Sequence, residues 1–379
     1  MSHYSDILDR LHAEGNFRSI PAELPVEGRA VTDLSSNDYL GLAADPAHQA
    51  RFFGDANRRA IPMTSSASRL LSGRQREYES LENLLGELYG RPALLFNSGY
   101  HANTGMLQAL ADPKTLIVAD KLVHASIIDG ITLSKAPFTR FRHNDLGHLE
   151  KILAKEAAHH DRLLIIVESV YSMDGDRADI DCLTEIKRRY PSAMLYVDEA
   201  HAFGVEGPGG LGLCRASSRF DDVDIVVGTF GKACASAGAF AVLSPILRDY
   251  LINRTRSFIF STSLPPMTVA WTQYMIETFL TMDDERRHLR LLGERLRSYL
   301  QPLSPGFPIT ASHIQPLVVG SAEKAVGLSH RLLEEGFKVL PIRTPTVPPG
   351  TERLRISLSA AIDTATIDRL GQTLATLIE

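Results

Sequence analysis

The decapeptide TFGKACASAG, Thr229 to Gly238, follows the apolar run DIVVG and carries a single lysine, Lys232, between a glycine and an alanine. About thirty residues earlier stands DEAH, Asp198 to His201, which ends the apolar run MLYV. The pairing has a chemical reading. A lysine amine can form an imine with pyridoxal phosphate, and an ionised carboxylate keeps the pyridine nitrogen protonated, which makes the ring an electron sink. Lys232 and Asp198 are the candidates for these two roles. A Gly-Lys dipeptide also occurs in P-loops, but the spaced glycines and the following Ser or Thr of that motif are missing here.

Outward from this pair, short apolar runs (ALLFN, TLIVAD, LLIIVES, MLYVDEA, DIVVGTF) alternate with helix-like stretches such as EYESLENLLGELYG and LTEIKRRY. That alternation predicts a parallel sheet wrapped by helices, an α/β architecture. Asn97 to Tyr100, Ser172, Asp198 to His201 and Thr229 to Lys232 fall at the ends of the runs, where open α/β sheets bind ligands. In FNSGYHAN a strand-like run gives way to Ser98, Gly99 and Tyr100 before a helix. The N–H groups of such a helix start can hold a phosphate, and the same residues can also be an ordinary glycine turn.

Residues 1 to about 30 read as a helix and an extended arm. After FSTSLPP (260–266) the pattern changes to helix, strand, helix, strand, helix: a helical stretch from Met267 to Leu300, then SHIQPLVVG, EKAVGLSHRLLEEG, FKVLPIR and ERLRISLSA before a last helix. We therefore expect an N-terminal helix and arm (1–36), a large domain (37–266) and a smaller α+β domain (267–379).

At 379 residues and 44% hydrophobic the chain can bury a large core. A net charge of −5, without Lys/Arg runs interleaved with aromatics, argues against nucleic acid as a partner. Cys182, Cys214 and Cys234 lack metal spacing, which fits a reducing compartment and no metal site. The amphipathic N-terminus contains no apolar run of signal-peptide or membrane-spanning length, so a cytoplasmic location without membrane attachment is expected.

Read together, SSNDYLGLA, SRLLSG, FNSGYHAN, DKLVHASIIDG, ESVYSMDGD, VDEAHAFG, TFGKA, FSTSLPP and IRTPTVPPGTERLRISLSAA resemble the α-oxoamine synthases over nearly the whole chain. These are pyridoxal-phosphate enzymes that condense an amino acid with an acyl thioester and release carbon dioxide. The resemblance implies the aspartate aminotransferase-like transferase fold (fold type I), with a mainly parallel sheet in the large domain. It assigns the cofactor phosphate to the backbone at Gly99 and Tyr100 and to the Thr229 hydroxyl, and the ring face to His124, which can also assist proton transfer there. It places Ser172 and His201 near the cofactor phenolate.

RLR (353–355) offers two arginines on one strand face, which alternation alone cannot separate. By likeness to the family, Arg355 takes the substrate carboxylate, while Arg18 and Thr346 contact the acyl substrate. FSTSLPP corresponds to a segment in which Ser261 or Thr262, with Thr262 the candidate, reaches a partner's cofactor phosphate, so a homodimer is implied. The resemblance further implies L-alanine as the amino acid and a pimeloyl thioester, on CoA or on a carrier protein, as the acyl donor.

The chain departs from the family pattern in places. TSSA replaces a glycine-rich turn before SRLLSG, Tyr78 stands near a usual histidine, and Ile362 follows SLSAA where histidine is common. The segment after Lys232, often Phe-Gly-Val-Ser-Gly in relatives, reads Cys234 to Gly238 after Ala233. Sister synthases using glycine with acetyl-CoA or succinyl-CoA, or serine with a long acyl-CoA, share the cofactor motifs. An aminotransferase is more distant. A cofactor-binding regulatory domain would need a DNA-binding module, and no helix-turn-helix or basic extension is evident.

Overall fold

The structure is a computed structural model that describes residues 2–18, 20, 31–43, 45–73 and 75–378. Two compact units emerge: a larger one of residues 40–172 and 177–286, and a smaller one of residues 1–39, 173–176 and 287–379. The strands, in chain order, are β1 (Thr32–Asp33), β2 (Ala93–Phe96), β3 (Thr115–Asp120), β4 (Phe138–Phe141), β5 (Arg162–Glu168), β6 (Ala193–Asp198), β7 (Ile225–Thr229), β8 (Ala239–Leu243), β9 (Ile314–Val318), β10 (Phe337–Lys338), β11 (Leu340–Ile342) and β12 (Arg353–Ser357). No helix among the described residues is long and apolar enough to cross a membrane.

The larger unit contains a seven-stranded sheet ordered β2-β8-β7-β6-β5-β3-β4 among the described residues. β8 runs antiparallel to both β2 and β7, and the remaining pairs are parallel. Because β8 is reversed between them, β2 and β7 still point the same way, so β2, β3, β5, β6 and β7 all end at one edge. β3 is buried along its length, as is β5 beyond Arg162. This accounts for their unbroken apolar runs: strands covered on both faces have no solvent side to make polar.

Helix Arg76–Tyr89 buries Tyr78, Leu81, Leu85 and Tyr89, one face at helical spacing, and stops at Gly90 in the left-handed conformation (φ 69°). Helix Gly99–Leu110 crosses helix Ala125–Ser134 closely at Gly130, where a Cβ would lie 2.8 Å from the Asn103 carbonyl. That close crossing brings Asn103 to Ser126.

In the smaller unit β12 lies between β9 and β11, antiparallel to both, and β10 pairs in parallel with β1. FKVLPIR, expected as one strand, is split at Val339: Phe337–Lys338 joins β1, and Leu340–Ile342 joins β12. One run of chain thus serves two sheets. The N-terminal helix covers Ser2–Ala13. Most of the expected arm, residues 19 and 21–30, lies outside the described residues.

The boundary between units falls after Arg286 rather than after Pro266, and the N-terminal segment groups with the smaller unit. The expected single helical stretch is two helices, Pro266–Phe279 and Asp283–Leu303. The first belongs to the larger unit because its buried face (Val269, Thr272, Met275, Ile276, Phe279) packs there, with Phe279 edge-on to Phe203 at 5.1 Å.

Gly228 in β7 faces Phe240 across the β7–β8 pair, and a Cβ on it would lie 2.3 Å from the ring. Phe240 is fully buried and stacked on Phe230 at 5.4 Å, so the ring cannot yield. Gly228→Ala is expected to destabilise by about 1–3 kcal/mol, read as a lower urea midpoint at unchanged slope. A midpoint equal to that of the parent would contradict this packing.

Candidate active site

Asp198 ends β6 and is 5% exposed. A buried carboxylate must be compensated by donors, and two are present: Asn103 Nδ2 at 2.7 Å from Oδ2 and the Ala200 N–H at 2.9 Å from Oδ1. Asn103 is itself fixed. The Tyr196 hydroxyl donates to its Oδ1 at 2.6 Å, and its amide donates to Ser126 Oγ at 2.9 Å. Ser126 Oγ lies 2.8 Å from His124 Nδ1, which also faces the Ser126 N–H at 3.2 Å. With these two donors Nδ1 acts as the acceptor, which assigns the ring proton to Nε2. A continuous chain therefore runs Asp198, Asn103, Ser126, His124.

Tyr196 remains neutral: burial drives its pKa well above 10, and the charge of Asp198 adds to this. His124 caps helix Ala125–Ser134 and keeps an exposed face. Protein packed against the ring lowers its pKa from 6.5; Asp198 opposes that shift and Lys232 reinforces it.

Lys232 lies in the turn after β7, with Nζ 2.8 Å from Nε2 of the buried His201. Gly99 opens helix Gly99–Leu110, and a Cβ there would sit 3.9 Å from Thr229 Cβ, an ordinary contact. The helix start and the Thr229 hydroxyl are thus adjacent. Ser98 caps this helix by accepting the His101 N–H at 3.2 Å, while the N–H groups of Gly99 and Tyr100 belong to the first turn, which lacks intrahelical acceptors. The Tyr100 hydroxyl donates to Asp129. Asn97 Nδ2 donates to the Thr262 carbonyl at 2.5 Å, tying the 260–266 segment to the same helix start. Ser172 is half-buried in the turn after β5.

Two buried acids here, Glu168 and Glu199, had been assigned no role. Glu168, at the end of β5, pairs in register with Asp198 and is 2% exposed. Burial first, and then the charge of Asp198, push its pKa well above 4.5; Lys232 and the His124 main-chain N–H oppose this. Its signal in the sequence was an acid closing a wholly apolar run. Glu199 accepts the N–H groups of Leu213 at 2.8 Å and Cys214 at 3.1 Å. Gly212 (φ +91°) makes room for it, since a Cβ there would lie 2.0 Å from Oε2.

In the smaller unit the two candidate arginines separate. Arg353 is ion-paired with Asp174 and lies over Phe307. Arg355 donates to Ser357 Oγ at 2.6 Å, Asn37 Oδ1 at 3.1 Å and Tyr39 O–H at 3.4 Å. Burial raises Tyr39 to about 12, with Arg355 opposing. Arg18 and Thr346 come together through a 3.2 Å hydrogen bond from Nη2 to Oγ1.

The larger unit fits pyridoxal phosphate by its own chemistry. It offers an amine at position 232, a buried charged carboxylate for a ring nitrogen, an imidazole with one open face, and a helix start beside a hydroxyl for a phosphate.

The sequence pattern of the family described as Aminotransferase class I and II matches residues 29–374. A protein of Pasteurella multocida (strain Pm70), provisionally named 8-amino-7-oxononanoate synthase, is 46% identical over 385 residues, which span 100% of this chain and 99% of its own. One of the same provisional name from Haemophilus influenzae (strain Rd) is 46% identical, covering 95% of this chain and 96% of its own. Among solved structures, a serine palmitoyltransferase variant from S. paucimobilis with bound PLP–myriocin matches with a TM-score of 0.89 at 29% identity, covering 99% of this chain and 96% of that one. The 8-amino-7-oxononanoate synthase of Francisella tularensis matches with 0.77 at 27% identity, covering 92% of this chain and 97% of that one. Fold and site thus define a pyridoxal-phosphate-dependent enzyme of the aminotransferase-like fold. The chain belongs to the α-oxoamine synthase family.

Asn103→Leu keeps the size of the side chain and deletes the hydrogen bond to Asp198. Losing a bond to a charged group, about 1.5–3 kcal/mol, translates into a kcat lower by roughly 10- to 100-fold. Steady-state kinetics decide this, and a parental kcat would show that Asp198 does not depend on Asn103.

Burial pushes Glu199 up to about 7, against donation from Cys214 and Leu213 N–H groups, from an ordinary value of 4.5. The folded form binds the proton more tightly than the unfolded form does. The resulting stabilisation, on the order of 3 kcal/mol, is complete below pH 4.5 and is lost as pH rises through 7. Glu199→Gln should flatten the stability–pH curve across that interval. Denaturation midpoints that stay parallel in parent and variant would exclude this origin.

Proposed function

We propose that this enzyme joins L-alanine to a pimeloyl thioester, carried by CoA or by a carrier protein, releasing carbon dioxide and thiol and forming 8-amino-7-oxononanoate for biotin biosynthesis. The names of relatives 46% identical across the chain support the substrates. The observation that carries the chemistry is Lys232 Nζ standing 2.8 Å from His201 in the unit that buries Asp198 among its donors.

Bound pyridoxal phosphate supplies an electron sink for charge developing at the amino-acid Cα. Lys232 holds it and, as a free amine, takes the proton from Cα and later returns it. Asp198, oriented by Asn103, keeps a proton on the ring nitrogen. His124 covers the ring face. Gly99, Tyr100 and Thr229 bind the phosphate, and Ser172 and His201 bond the ring oxygen.

Arg355 receives the substrate carboxylate through two parallel hydrogen bonds; Arg353 is the weaker candidate because Asp174 already engages it. Arg18 and Thr346, already bonded to each other, contact the acyl substrate. In a homodimer, Thr262 reaches the partner's phosphate, so one self-complementary interface completes both sites. The higher TM-score with serine palmitoyltransferase favours a second reading, a sister reaction on serine and a long acyl thioester.

One experiment separates these. Holoenzyme is given alanine, glycine or serine with pimeloyl, acetyl, succinyl or palmitoyl thioesters, and carbon dioxide and thiol release are followed. Alanine with the pimeloyl thioester should rank first, and serine with palmitoyl-CoA ranking first would replace this reading. Lys232→Ala should lower turnover by roughly 10²- to 10⁴-fold, and borohydride should fix the cofactor to the peptide containing Lys232. Fixation to any other lysine would remove Lys232 from its role.

A further inference from the structure

Trp271 is the only tryptophan of the chain and lies on helix Pro266–Phe279. Its Nε1–H donates to the Ala235 carbonyl at 3.0 Å. The next residue, the fully buried Thr272, shares a 2.7 Å hydrogen bond with Ser236 Oγ. Both grips fall on the turn that carries Lys232.

Within that turn the Ala235 N–H donates to the Lys232 carbonyl at 2.8 Å and the Ser236 N–H to the Phe230 carbonyl at 2.9 Å. Closing it this way places Ala235 at φ +47°, the left-handed region. An alanine Cβ crowds the carbonyl oxygen there, whereas glycine occupies the region freely. Here an alanine is held in a glycine conformation, and the holding groups come from a separate helix. The indole is in turn braced, edge-on to Phe52 at 5.1 Å and tilted against Tyr274 at 5.6 Å, with Arg58 over both of those rings.

We propose that Trp271 is a positioning residue for Lys232: its indole N–H, aided by the Thr272 hydroxyl, holds the Lys232–Ser236 turn in a backbone form that Ala235 disfavours, and so fixes the amine against His201. Without that grip Ala235 relaxes toward negative φ, the turn reopens, and Nζ moves away from its reacting position. Small displacements of this kind are costly to turnover while substrate binding is preserved. The proposal rests on Lys232 being the cofactor-holding lysine.

Trp271→Phe keeps an aromatic ring and deletes the N–H. In the full-length holoenzyme, hydrogen exchange of the peptide spanning 230–238 should speed up, and kcat should fall about tenfold with the amino-acid KM within about twofold. Adding Ala235→Gly to that variant should restore kcat to within about threefold of the parent, because glycine adopts the turn without the clamp. A kcat loss below threefold in W271F, unchanged exchange, or a double variant no faster than W271F overturns the proposal. If W271F lowers the folded fraction, the isosteric Thr272→Val is read by the same three criteria. Exchange reports the backbone whichever lysine binds the cofactor. Fixation elsewhere would therefore sink the role of Lys232, while the exchange result would still decide whether Trp271 holds the turn.

Discussion

A carboxylate taken out of water at the end of β6 sets the conditions for the rest of the larger unit. Asp198 is 5% exposed, and a buried charge is tolerable only when protein donors replace its hydration. Asn103 supplies one of those donors, which obliges helix Gly99–Leu110 to pass over the strand end. Asn103 has its remaining valences taken by Tyr196 and Ser126, and this in turn requires helix Ala125–Ser134 to come within the distance that Gly130 permits. His124 is oriented as the last member of the same chain. The neighbouring acid, Glu168, is pushed toward its neutral form by burial and by the charge of Asp198.

The sheet provides the frame for this arrangement. With β8 reversed between β2 and β7, the turns bearing Asn97 to Tyr100, Ser172, Asp198 to His201 and Thr229 to Lys232 all leave the same edge. A helix start presents unbonded N–H groups there, and short turns present an amine, a hydroxyl and an imidazole. Parallel strands ending together are an economical way to gather residues far apart in sequence. Helix Pro266–Phe279 braces this edge through Trp271 and Thr272, which makes it part of the larger unit in more than packing alone.

Much of this was legible in the residues. The lysine, the aspartate that ends β6, the glycine turn before helix Gly99–Leu110 and the apolar runs of five sheet strands all stand in local patterns. β8 went unread although AFAVL is as apolar as its neighbours, because it follows the lysine turn without a helix to mark a crossover. FKVLPIR showed one apolar stretch and gave no sign that it divides between two sheets, since the partner of its first half, Thr32–Asp33, lies at the other end of the chain. Asn103 was quoted inside a motif without a role: an asparagine in a helix is ordinary until the carboxylate it serves is known.

The sequence by itself determined the class of fold and the cofactor chemistry, because these depend on short-range order: period, turn residues and motifs in fixed succession. Only the tertiary structure gave Arg353 and Arg355 different partners, joined Arg18 to Thr346, raised the pKa values of Glu168 and Glu199, and tied Trp271 to the lysine turn. Each of these is a matter of which groups are left without water and which partner then reaches them. Burial and partnership are properties of the packed chain, set by contacts between segments that have no reason to be near one another until the core closes.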